Sequence, residues 1–272
     1  MSDTTSRSAY VLSALIAVLA LIAAGGGLLV DGLYQGNALL VAGWRGNDLV
    51  TLIVALPALV ASLILSVRGS QRAQLVWLGM LAYTLYNFAY YLFGAAFNSF
   101  FLLYVALFDL SMFALLFALV RMDVAGIGRR FRSTTPVKWI AGFMIFVAVG
   151  LTAVYGAESL RFVVTGRVPE IVTLTGHVTN VVFALDLSLV VPWFVLGAIW
   201  LWQRRPWGYI LATILNVKGA VYMLALSAVT VSAVRAGASD DLAQVGIWAT
   251  IGLGSLVASL LLLGNVEPGD RQ

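Results

Sequence analysis

The chain contains no cysteine, one histidine and, among its 272 residues, only 10% charged side chains. Without cysteine there is no disulfide, no thiolate metal site and no cysteine nucleophile. A lone histidine lacks the further nitrogen or thiolate ligands that a zinc site needs. No metal-ligand pair and no serine–histidine arrangement stands out, so no catalytic motif names a reaction and no cofactor or metal is implied. The scarcity of charge excludes an ordinary soluble domain, which carries roughly 25% charged residues. What is abundant is apolar: 61% of the chain is hydrophobic. The formal net charge of +4 does not indicate nucleic acid, because the basic residues fall between apolar runs rather than on one polar domain.

Those runs have the length of membrane spans, about 20 residues each. Stretches free of charge cover residues 8–30, 49–67, 73–108, 139–157 and 242–266. The third is long enough to turn once, and Asn98-Ser99 is its best turn, giving spans over 73–97 and 100–120. Two more spans follow over 178–202 and 207–234. The expectation is an all-α fold: one polytopic transmembrane helix bundle of about eight spans occupying residues 1–272, in contact with the lipid bilayer. The first run can also be read as a cleaved signal peptide, with an Ala-Gly-rich end at residues 23–27. Its length and its weakly charged leader (Arg7 offset by Asp3) favour a true span.

Charge in the connections orients the bundle. Arg68 and Arg72, then Arg121, Arg129, Arg130, Arg132 and Lys138, then Arg204 and Arg205 lie in alternate connections, with Arg7 and Arg271 in the tails. The intervening connections carry Asp31, Asp48, Glu158, Glu170, Asp240 and Asp241. This is the positive-inside pattern, and it places both termini in the cytoplasm of a cell membrane. The two halves, 8–120 and 139–266, also read alike. Each has a span, a long connection, a span with an internal proline (Pro57, Pro192), a short basic turn and a third span. Trp77 and Trp207 each follow their turn. Two parallel four-helix repeats related by an axis along the membrane normal would produce that order; so would accidental symmetry in a hydrophobic chain.

Lys218 lies near the middle of an otherwise uncharged run, where an ionisable side chain costs roughly 2.5–3.5 kcal/mol on insertion scales. Asp109 and Asp186 lie inside other spans. Depth along the spans makes Asp109 the better match for Lys218, with Asp186 nearer the outer end. Two acids and one base suit a proton or small cation. Tyr222 follows Lys218 by four residues and shares its helix face, whereas Asn216 faces nearly the opposite way. In the third span Gly79, Tyr83, Asn87 and Tyr91 recur every four residues beside Tyr86 and Tyr90, a stripe too near mid-span to be an interfacial belt. Such a stripe either lines a pathway or bonds one helix to another. His177 and Asn180, at the head of the sixth span, are candidates for an outer gate, and solvation at the interface is the plainer reading of both. The segment 158–177 suits an interfacial helix or a lid. Gly246, Thr250, Gly254 and Ala258 form a small-residue stripe that admits close packing, within the bundle or in a homo-oligomer through the eighth span.

The segment Arg204-Arg205-Pro206-Trp207-Gly208-Tyr209, with Val217-Lys218-Gly219 after it, resembles a group of prokaryotic multi-pass integral membrane proteins to which no activity attaches. The resemblance implies a multi-pass helical fold and nothing about chemistry. A lysine in a late span also invites comparison with microbial rhodopsins, whose lysine stands on the last of seven helices with an acid four residues before it. Here that position is Ile214 and another span follows, so the chain departs from that pattern. Three functional classes remain: a transporter or channel for protons or a small solute, a non-catalytic sensor or scaffold whose charges set packing, and a membrane-embedded enzyme acting on a lipid-like substrate. The buried charges favour the first.

Overall fold

The computed structural model describes the backbone of residues 2–267 and the side chains of residues 7–267. Arg271 and the side chain of Asp3 lie outside the described residues. Twelve α-helices and two π-helical turns, with no strand among the described residues, form one bundle. The helices are α1 (Ser2–Leu29), α2 (Ala38–Val50), α3 (Leu56–Val67), α4 (Gln71–Gly94), α5 (Phe101–Val120), α6 (Val124–Arg129), α7 (Val137–Thr165), α8 (Glu170–Thr175), α9 (Val181–Leu185), α10 (Val191–Trp202), α11 (Pro206–Arg235) and α12 (Ala243–Gly264). The π turns Thr51–Ala55 and Asp186–Val190 join α2 to α3 and α9 to α10 into continuous rods, Ala38–Val67 and Val181–Trp202.

Helix ends follow local chemistry. Asn37, Ser70, Asp123 and Asn180 cap α2, α4, α6 and α9 by accepting a backbone N–H three residues on. Pro206 opens α11, where its missing N–H costs nothing. Gly166 and Gly176 close α7 and α8 in the left-handed conformation, at φ of 67°. Both π turns precede a proline by the same interval. Pro57 and Pro192 cannot donate to the carbonyl four residues back, and the helix widens so that Leu56 N–H reaches Thr51 O and Val191 N–H reaches Asp186 O.

Seven helices are long and apolar enough to cross a membrane: α1, the two rods, α5, α7, α11 and α12. With α4 they make a polytopic bundle of about eight spans. Helix α4 is the exception because it carries the polar stripe, and it stands at the centre, packed by α3, α5, α9 and α11. Fifteen of its residues are buried, Trp77, Tyr83, Tyr86, Asn87 and Tyr91 among them. Helix α11 is its neighbour, and Gly79 allows their approach: a Cβ there would come within 2.6 Å of Val217. Outward faces are apolar, as at Leu29, Phe146 and Val163, which suits lipid. Helix α1 is built into the bundle through buried Ala9, Ile16 and Ala20, and Trp77 Nε1 donates to Ser13 Oγ at 3.0 Å.

At the arginine-rich end the tail of the chain is tied across the bundle. Arg72 donates twice to Val266 O, at 3.1 and 2.6 Å, Arg132 N–H to Asn265 O, and Glu267 N–H to Arg130 O. At the other end Asn37 Nδ2 donates to Leu174 O, joining the first long connection to α8. The small-residue stripe of α12 divides: Gly254 and Ala258 pack inside, against Phe143 in the case of Gly254, while Gly246 and Thr250 stay exposed.

Two sequence expectations change here. The second span begins at Ala38 rather than residue 49, because Arg45 and Asp48 interrupt the apolar run without interrupting the helix. Trp77 and Trp207 are not equivalent, since Trp77 is six residues into α4 and Trp207 one residue into α11. Helix boundaries instead recur at a spacing of 135 residues: Thr51 and Asp186 open the π turns, Val67 and Trp202 end the rods, and Gln71 and Pro206 begin the next helices.

Candidate functional site

Lys218 is buried, 5% exposed, on the face of α11 that meets α4. Its ammonium lies 3.6 Å from the centre of the Tyr86 ring and 4.4 Å from that of Tyr222. A desolvated cation over aromatic faces gains about 2 kcal/mol, which offsets part of the cost of burial. The acid is Asp186, 4% exposed, at the first residue of the second π turn. Its Oδ1 accepts from the Tyr86 hydroxyl at 2.6 Å and its Oδ2 from Tyr155 at 3.1 Å. The Tyr86 and Tyr222 hydroxyls are 3.2 Å apart. Asp186 and Lys218 attract one another electrostatically across this group without a direct ion pair within 4 Å. One acid, one base and three phenols from α4, α7, the π turn and α11 thus form a single buried polar group.

A cavity of about 30 Å³ adjoins it, between α7, α10, α11 and α12. Tyr155, Asp186, Lys218, Tyr222 and Ser255 supply its polar lining, and the remaining walls are apolar. The volume holds water and no organic solute. Water, three hydroxyls, a carboxylate and an amine within a few ångströms can exchange protons. Among the described residues no three His, Cys, Asp or Glu side chains are placed to hold a metal ion.

The expected partner of Lys218 is displaced. Asp109 lies on the exposed face of α5, whose buried residues are Tyr104, Leu107, Ser111, Ala114 and Ala118. It stands two residues from both Leu107 and Ser111, and 100° per residue turns it nearly away from the bundle. Depth matched it to Lys218, but azimuth did not. Asp186, expected at the outer rim, is the acid of the site, so the site holds one acid and not two.

Of the tyrosine–asparagine stripe on α4, Tyr86 enters the site, and Tyr222 joins it from α11. Tyr83 instead meets Thr51, with 3.4 Å between hydroxyls, and Asn87 accepts from Asn47 Nδ2 at 2.8 Å. Tyr90 packs against Trp44 in a tilted ring pair, with ring centres 4.5 Å apart. His177 is half-buried in the connection before α9, and Asn180 is the α9 cap, its Oδ1 bonded to Phe183 N–H. Neither touches Asp186 or Lys218. Asn216 faces away from the lysine's partners and returns its amide to Ala212 O.

Sequence reasoning missed one participant, Tyr155, and one buried acid outside the site, Asp48. Tyr155 sits unmarked in an apolar helix, and nothing in its sequence neighbourhood distinguishes it. Asp48 was read as part of a connection; it is 2% exposed, inside the first rod, and accepts from Tyr34 and Tyr91. The proline-centred spacing points to neither of them: 135 residues carry Thr51 to Asp186 and Tyr83 to Lys218, so that Thr51 meets Tyr83 in one half as Asp186 lines one cavity with Lys218 in the other. Comparison of the chain with protein-family models, with curated proteins and with solved structures finds no match.

Proposed function

We propose that the protein is a membrane transporter or channel for protons, with Asp186 and Lys218 as the exchanging pair and Tyr86, Tyr155 and Tyr222 as their relay. The carrying observation is a buried acid and base sharing one hydroxyl-rich group beside a water-sized cavity. Intramembrane charges are expensive and are usually retained for function. The size of the cavity favours the proton over a larger solute. Purified protein in liposomes, with an imposed pH gradient and an internal pH dye, tests this. Dissipation faster than in protein-free liposomes is expected; equal rates would leave the scaffold reading in its place.

We further propose that the arginine-rich end faces the cytoplasm of a cell membrane. Supporting this, the arginine-rich connections alternate with connections that carry an acidic, neutral or balanced charge. The cysteine-free chain allows a direct check. Single cysteines at Ser133, Ser159 and Ser239, treated with an impermeant maleimide on intact cells, are expected to label at 159 and 239 and not at 133. The reverse pattern would invert the bundle.

The two halves are also proposed to be parallel repeats, supported by the matched π turns, prolines and helix starts. Positions 53 and 188, and 67 and 202, are then equivalent. Spin labels on Ile53 and Trp202 should report the same separation as labels on Ser188 and Val67, all four being exposed. Clearly unequal distances would remove the repeat.

A further inference from the structure

The proton reading leaves one buried acid unused. Asp48 is held from several elements at once. Tyr34, in the connection before α2, donates to Oδ2 at 2.6 Å, and Tyr91 of α4 donates to Oδ1 at 2.7 Å. Burial first, and the adjacent Asp48 second, push the Tyr34 phenol above its ordinary range, so it remains a neutral donor. The other titratable groups facing Asp48 are Tyr83 from α4 and Tyr104 from α5. Helix α1 brings Gly27 against the acid, where a Cβ would collide with Asp48 Oδ2 and the Tyr34 hydroxyl. Helix α11 meets α2 at Gly43 and Gly46 through Val229, Ala228 and Ser232. No lysine, arginine or histidine is among these groups. Arg45, the nearest cation along α2, instead pairs with Asp31 at 3.4 Å, and Asp31 is fully exposed.

A carboxylate at this depth without a cation is costly, and the inexpensive escape is to take up a proton. A metal ion fits poorly, because both carboxylate oxygens already accept short bonds from hydroxyl donors. Beside the acid, Asn47 Nδ2 donates to Asn87 Oδ1 and to the Tyr91 hydroxyl at 3.1 Å. The Asn87 Nδ2 group is buried and has no partner among the described residues, which leaves a spare donor next to Asn47. Depth orders the two acids. Counted back from the arginine-rich ends of the rods at 1.5 Å per residue, Asp48 lies about 29 Å up and Asp186 about 24 Å up. On α4, Tyr86 donates to Asp186, while the next residue, Asn87, bonds Asn47, the neighbour of Asp48.

We infer that Asp48 is a second proton-binding site, on the opposite side of α4 from Asp186, through which protons are exchanged with the end of the bundle away from the arginines. Its role in exchange rests on the proton-transport reading; its existence as a titrating site does not. The test uses the full chain in nanodiscs, followed by infrared difference spectroscopy during a pH titration, alongside flux in liposomes. A carboxylic C=O band that titrates in wild type, disappears in Asp48→Asn and persists in Asp186→Asn is expected. Tyr91→Phe, which keeps the ring and removes one donor, should move the pH midpoint of that band and guards against an Asp48→Asn protein that fails to fold. Proton flux in Asp48→Asn should fall by at least tenfold. An unchanged band in Asp48→Asn would overturn the site, and wild-type flux in that variant would overturn its role in exchange. A titrating Asp48 band in a protein with no flux at all would sustain the site while removing the transport reading.

Discussion

Asp186→Asn is expected to reduce proton flux in liposomes to the leak of protein-free vesicles, a loss of about a hundredfold or more if the acid is the obligatory exchanger. The substitution is nearly isosteric. An amide oxygen can still accept from Tyr86, which donates at 2.6 Å in the native protein, so the helix contacts around the π turn should survive. What disappears is the ability to bind and release a proton at that position. Lys218 loses its counter-charge, and it can shed its own proton instead of remaining as an isolated buried cation. A monodisperse, membrane-inserted Asp186→Asn protein with undiminished flux would remove Asp186 from the mechanism. Flux through Asp109→Asn should stay at the wild-type level, since Asp109 lies outside the site on the exposed face of α5.

Lys218→Met is expected to have the largest effect on stability. Removing one partner of a buried charged pair typically costs 3–5 kcal/mol. Two features place the expected loss at the lower end, about 3 kcal/mol. Methionine is unbranched and soft enough to fill the space against the Tyr86 and Tyr222 rings, and Asp186 retains its two tyrosine donors. Thermal unfolding in one detergent, wild type against variant, measures this. In flux, the pH at half-maximal rate should move upward, because the neighbouring positive charge that favours the carboxylate is gone. A downward shift, or none, would mean that Lys218 does not act on Asp186. Lys218→Arg should restore the charge but not the fit, since a planar guanidinium needs more room than the ammonium 3.6 Å above the Tyr86 ring.

Much of this molecule was legible along one dimension. The approximate number of spans and the charge asymmetry of the connections follow from apolar run length and from the cost of placing charge in hydrocarbon. Lys218 and Asp186 were conspicuous for the same reason, as ionisable groups in runs otherwise without charge. Tyr86 and Tyr222 were found because four-residue spacing puts side chains on one helix face. Run length failed at Asp48. Arg45 and Asp48 break the apolar run, yet the helix passes through them, one charge reaching out to Asp31 and the other buried under Tyr34 and Tyr91.

Which acid meets the lysine was decided by tertiary structure alone. Depth is proportional to residue number and can be counted from the sequence, and by depth Asp109 was the better partner. Azimuth depends on which face each helix turns to its neighbours, and α5 turns Leu107 and Ser111 inward, leaving Asp109 outside. The π turn before Pro192 is where Asp186 enters the bundle, Tyr155 reaches it from the preceding span, and Tyr86 from a helix 100 residues away. The sequence by itself placed Lys218 and Asp186 inside apolar spans, because ionisable groups stand out in runs otherwise without charge. Packing of α4 against α9 and α11 determined which of them share a site, because contact between helices depends on rotation about their axes as well as on height.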